Sequence, residues 1–161
     1  MKTLYTLLIV LGVTLVLADY GYSAVKPSFV AKLTGGQESP PIKTKAHGEV
    51  LFYLDKDRNE LRYKLIVKNI DDVTQVHLHL APKEKTGDYI AWVYPSAPPP
   101  KLKRGMFSGT LAEGTITAAD LQGPMAGKTI SDLVQKIKGG DVYVNVHTEQ
   151  NKEGEIRGQV R

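Results

Sequence analysis

Strict alternation of apolar and polar residues at period two marks a strand with one buried face, and here it is clearest in two runs that also carry histidine. Val76, Leu78 and Leu80 alternate with His77 and His79, and Val142, Val144 and Val146 alternate with Tyr143, Asn145 and His147. Each run puts its aliphatic side chains into a core and its histidines on the opposite face. If the two strands lie near each other, three imidazoles converge. Neutral imidazole suits zinc and copper, and three of them with an open position is a recurrent metal-site composition. A histidine pair of this kind means little alone, because a strand histidine is commonly a partly buried side chain with one hydrogen bond. The concentration means more: the chain has 4 histidines, and three of them stand in these two runs.

The same period recurs along the chain. Phe29, Ala31 and Leu33 open a first strand near residue 28, and two glycines and two prolines within 35–41 end it in a loop. Strands over 47–54 and 61–68 flank the polar turn 55–59. In the latter, Leu61, Tyr63, Leu65 and Val67 alternate with mostly charged neighbours, which predicts an edge-exposed strand with one wet face. Strand character returns over 88–94 and 104–116, on either side of a proline-rich connector. Residues 117–121 read as a helical turn capped by Thr117. Residues 129–138 read as the one convincing helix, with Ile130, Leu133, Val134 and Ile137 on one face and Gly139 and Gly140 as its stop. Short strands over 141–148 and 155–160 close the chain. The prediction is an all-β fold, an antiparallel Greek-key β-sandwich or barrel of about eight strands with one short helical insertion.

At 161 residues the chain is the length of one domain. Met1 and Lys2 precede an apolar run over 4–18, which fits a secretory signal and, interrupted by Asp19, is shorter than the ~20 residues of a comfortable membrane span. The expected organisation is a signal peptide over 1–18 (alternatively to 24), a linker over 19–27 and a domain over 28–161, with no membrane span after cleavage. The destination would be secreted, periplasmic or cell-surface. Export invites disulfides, yet the chain has 0 cysteines, which excludes thiolate ligands, thiol nucleophiles and a lipidated cysteine anchor. The net charge of +4 is spread among acids rather than run together, so nucleic acid is not an expected partner. No phosphate loop, nucleophile elbow or triad spacing stands out.

Three longer stretches make the chain recognisable: 29–41, from Phe29 through Gly35, Gly36, Gln37 and Glu38 to Pro41; 73–79, ending in the histidine pair; and 143–148 together with 154–160, where Gly154, Glu155, Ile156, Arg157 and Gly158 stand in a row. With the segment 109–121 they resemble the CHRD domain, the module repeated in chordin, over essentially 28–161. The resemblance implies a β-sandwich similar to that of copper, zinc superoxide dismutase, in which His77, His79 and His147 match the roles of copper ligands. It stops short of the dismutase zinc loop, because residues 81–103 contain no histidine, and of its disulfide. A copper-only or single-metal site survives.

Copper is favoured over zinc because nitrogen sites bind Cu²⁺ more tightly in the Irving–Williams order. His47, at the start of a strand, is read as a solvated turn residue, with a fourth-ligand role as the alternative. Glu155 and Arg157 share a strand face: an exposed ion pair is one reading, and a supporting role behind the ligands is the other, with Glu155 orienting a histidine or Arg157 guiding an anion. The leading function is an exported metal-binding protein holding copper for storage, delivery or electron transfer. The alternatives are a copper-only dismutase-like enzyme and an extracellular protein-interaction module with structural histidines. Expected partners are the metal ion and either a protein partner or a second copy of the chain.

Overall fold

The computed structural model describes residues 26–161; the segments expected to act as signal peptide, and all but the end of the linker, lie outside the described residues. Eight strands form one antiparallel sheet: β1 (Phe29–Thr34), β2 (His47–Leu54), β3 (Glu60–Ile70), β4 (Val73–Leu80), β5 (Tyr89–Tyr94), β6 (Phe107–Thr117), β7 (Val142–Thr148) and β8 (Ile156–Gln159). Their hydrogen-bonded order is β5-β4-β7-β8-β1-β2-β3-β6. The two ends of that order, β5 and β6, also pack against each other, so the sheet rolls into a nearly closed barrel. Two connections join strands that are not neighbours around this barrel, as the Greek-key expectation requires: β3 to β4 through the short turn 71–72, and β6 to β7 through the long segment 118–141.

The β2–β3 hairpin forms where the polar turn predicts it. Asp55 Oδ1 accepts the backbone N–H groups of Asn59 and Glu60, each at 2.8 Å, and Arg58 takes a positive φ of 57° at the apex. One expectation fails here. β3 is not an edge strand, because it pairs with β2 on one side and with β6 on the other. The alternation of Leu61, Tyr63, Leu65 and Val67 reports that one face meets water, and says nothing about whether both edges are paired. The charged side chains that suggested an edge cover the outside of the barrel; Lys64, for example, bridges to Glu113 of the neighbouring β6 at 2.6 Å.

The interior is filled from every strand, with Leu33, Val50, Phe52, Leu65, Val76, Leu78, Ile90, Ile116, Val144 and Ile156 all fully buried. Burying each large side chain contributes on the order of 1.5–3 kcal/mol. Tyr63 spans this interior, donating its hydroxyl to the carbonyl of Val93 at 2.8 Å and so tying β3 to the terminal strand β5. The helix α1 (Ile130–Gly139) buries the expected Ile130, Leu133, Val134 and Ile137. It runs one residue beyond the expected stop, since Gly139 is still helical and Gly140, at φ 78°, takes the left-handed cap. Thr129 Oγ1 accepts from the Asp132 N–H at 3.1 Å while Asp132 Oδ2 accepts from the Thr129 N–H at 2.9 Å. Replacing Thr129 with alanine is expected to cost about 1 kcal/mol, read as a lower unfolding midpoint in denaturant with unchanged slope. The turn after β6 is a single 3-10 turn (Ala118–Asp120), with Thr117 donating its N–H and hydroxyl to Asp120 Oδ2. No helix among the described residues is long and apolar enough to cross a membrane.

Candidate metal centre

β4 and β7 lie side by side in the sheet, with His77 opposite Asn145, His79 opposite Tyr143 and Gln75 opposite His147. Because period two keeps the histidines off the core face, pairing of the two strands places all three on the outside of the barrel wall. Their ring centroids form a near-equilateral triangle: 5.7 Å from His77 to His79, 5.3 Å from His77 to His147 and 6.0 Å from His79 to His147. One ring nitrogen from each lies within 4.8 Å of the others. An ion with bonds of about 2.0–2.1 Å closes that span through small ring rotations.

The hydrogen bonds decide which nitrogens are free. His79 Nδ1 meets the Gly87 carbonyl at 2.9 Å and His147 Nδ1 meets the Lys152 carbonyl at 2.8 Å. A carbonyl can only accept, so in both rings Nδ1 carries the proton and Nε2 is left with a bare lone pair. The Nε2 atoms of His77, His79 and His147 are all buried and have no hydrogen-bond partner. Fixing one ring nitrogen on a backbone carbonyl so that the other points at a metal is how ligating histidines are ordinarily oriented.

Two loops supply those carbonyls. In the β4–β5 loop the Leu80 N–H donates to Asp88 at 2.9 Å, and Gly87 passes so close to the Leu80 carbonyl that a Cβ would collide with it. In the β7–β8 loop Asn145 Nδ2 donates to the Glu153 carbonyl at 3.1 Å, and the Asn145 amide fills the space that a side chain at Gly154 would need.

Burial dominates the electrostatics. It pushes the imidazolium of His77 down to about 3, with His147 and His79 adding repulsion. Burial likewise holds His79 down to about 4 against the opposing bond to Gly87, and lowers His147 against its bond to Lys152 and the charge of Glu153. The rings are therefore neutral at pH 7, the form that binds metal. A cleft of about 460 Å³, lined among others by His79, His147, Asp88, Tyr89 and Glu153, leads from solvent to this cluster.

The other candidates lie elsewhere. His47 is exposed on β2, bonded to the Lys45 carbonyl at 3.1 Å, and does not join the cluster. Glu155 is buried and hydrogen-bonds to no histidine: it accepts from Thr44 Oγ1 at 2.7 Å, Thr148 Oγ1 at 2.8 Å and Asn151 Nδ2 at 3.2 Å, fastening the β7–β8 loop to the segment before β2. It forms no ion pair with Arg157; the salt bridges among the described residues are Lys64 with Glu113 and Lys83 with Glu84. Arg157 is 3% exposed, with its guanidinium 3.5 Å over the ring of Tyr143. Tyr143 and Trp92 are site residues to which the sequence assigned no role. Tyr143 stacks on His79 at 4.8 Å, and Trp92 meets His77 edge-on at 4.3 Å. Tyr143 shares the alternation of His147 and could have been found that way; Trp92 comes from β5, whose register against β4 no local pattern reveals.

A sequence model of the CHRD domain matches residues 29–160, every strand of the barrel and both histidine-bearing runs. The chain belongs to the CHRD-domain family. Chordin of Xenopus laevis is 29% identical over 133 residues, a stretch covering 80% of this chain and 12% of that protein. The CHRD domain described here thus spans a small part of the length of the curated relative it matches. No solved structure matches it at a significant level.

Proposed function

We propose that this CHRD domain is an exported metal-binding protein that holds one copper ion between His77, His79 and His147, for storage, delivery or electron transfer. The observation that carries this reading is the set of three buried, unpartnered Nε2 atoms on rings whose free nitrogens converge. A buried acceptor without a donor costs about 1–3 kcal/mol, and three together are hard to account for unless a bound ion offsets them. Copper is preferred to zinc on the affinity order of nitrogen sites. Export rests on the apolar run over 4–18 and on the family shared with chordin.

The family tie also supports a second reading, an extracellular protein-interaction module whose histidines are structural. A purely structural role would leave three buried Nε2 atoms side by side without partners, and this favours the metal reading. The dismutase-like alternative needs a positive approach for its anionic substrate. Arg157 lies buried behind Tyr143, and the cleft is lined by Asp88 and Glu153, which favours binding over turnover.

Trp92 is the chain's single tryptophan, and it lies against His77. Titrating the metal-free protein with copper(II) is expected to quench most of the tryptophan emission and to saturate at one equivalent. A triple alanine variant at His77, His79 and His147 that quenched with the same stoichiometry and affinity would refute the site.

A further inference from the structure

We infer that Arg157, stacked through Tyr143 on His79, is a positioning residue that biases the centre toward copper(I) over copper(II); this rests on the copper reading above. Three planar groups lie in series: the guanidinium 3.5 Å over the Tyr143 ring, and that ring 4.8 Å from the His79 imidazole at an interplanar angle of 10°. Arg157 donates Nη2 to the Lys85 carbonyl at 2.6 Å and to the Pro82 carbonyl at 3.5 Å. Those bonds also pin the loop whose Gly87 carbonyl fixes His79.

An arginine never gives up its proton in a protein, so the charge is permanent. No salt bridge cancels it among the described residues. The carboxyl whose field reaches it is Glu38, and burial raises Glu38 to about 7, which keeps that compensation incomplete at and below neutral pH. Meanwhile the metal's own ligands are three neutral imidazoles, so a bound ion keeps its full charge. Asp88 and Glu153, at the cleft, are exposed to solvent and screened by it, whereas Arg157 is enclosed. A fixed positive charge opposes a dication more than a monocation. At a separation of roughly 8 Å and an effective dielectric near 20, the difference of one charge changes the ratio of the two affinities on the order of 30-fold.

The test compares the wild type with Arg157→Met, Arg157→Gln and Arg157→Lys. Copper(I) affinity is measured by competition with bicinchoninate and copper(II) affinity by competition with nitrilotriacetate. Arg157→Met and Arg157→Gln are expected to shift the affinity ratio about 30-fold toward copper(II), equivalent to a fall of about 90 mV in midpoint potential. Arg157→Lys keeps the charge and is expected to move the ratio much less. Glutamine retains a donor for the Lys85 carbonyl and serves if the methionine variant does not fold. An unchanged ratio in the neutral variants, or an equal shift in Arg157→Lys, would overturn the role of the charge and leave the copper reading standing. A wild type that retains neither ion would overturn both.

Discussion

His79→Ala is expected to lower copper affinity by more than about 100-fold, because removing even a residue that merely supports a metal ligand costs about 10–100-fold and His79 is itself one of three ligands. The informative companion is His77→Leu. If the histidines serve the metal, the metal-free protein carries three buried ring nitrogens without partners, and replacing His77 with an apolar side chain removes one of them. The gain offsets the packing lost against Trp92 and Tyr89, whose rings lie 4.3 and 5.2 Å from His77. The variant should therefore lose copper while its metal-free form stays as stable as the wild type or gains about 1 kcal/mol. Structural histidines give the opposite pattern. Chemical denaturation of both metal-free proteins, alongside copper competition titrations, separates the two: a clear loss of stability in His77→Leu with little change in copper binding would rule the metal centre out.

The metal-free protein is also expected to lose stability steeply as pH falls below about 6.5. Folding holds the His77 and His79 imidazolium pKa values down to about 3 and about 4, from an ordinary 6.5, and lowers that of His147 as well. Below 6.5 the unfolded chain takes up protons that the folded chain refuses, so the stability contributed by neutral, buried rings is whole above that pH. It is lost as pH falls toward the folded values, at about 1.4 kcal/mol per pH unit for each group. Glu38 acts in the other direction. Its carboxyl is raised from 4.5 to about 7, so its contribution is present below 4.5 and is lost as pH rises through 7. One opposing carboxyl against three histidines leaves a net fall in stability between 6.5 and 4.5, on the order of a few kcal/mol.

Proton competition for the metal moves by the same cause. Ordinary imidazoles would release copper between about pH 6 and 4 and give up protons on loading. These rings are already neutral at pH 7, so loading there should release almost no protons, and the folded protein should keep copper to about pH 4. Melting temperatures of the metal-free protein from pH 8 to 4, with proton release followed on copper addition at pH 7, check both statements. A flat profile through 6.5 would show that the histidines are not buried as described.

The number, type and approximate bounds of the strands were legible in the sequence, because side-chain alternation is a local property that survives without knowledge of partners. So was the pairing of function with face: Val76, Leu78 and Val144 had to go inward, which left His77, His79 and His147 outward together. The helix and its cap were legible for the same reason, since Thr129 and Asp132 act within a single turn. The edge position expected for β3 was wrong because backbone pairing leaves no trace in one strand's own side chains.

That β4 and β7, which begin 69 residues apart, are neighbours was decided only by the tertiary structure, through the strand order of the barrel. The same holds for Tyr143 beneath Arg157, Trp92 against His77, and Glu155 turned away from the histidines toward Thr44 and Thr148. The sequence by itself determined which residues could meet on one face. Only packing determined which ring nitrogens the Gly87 and Lys152 carbonyls occupy and which stay free, because hydrogen bonding to a loop depends on where that loop closes and not on the spacing of the residues it serves.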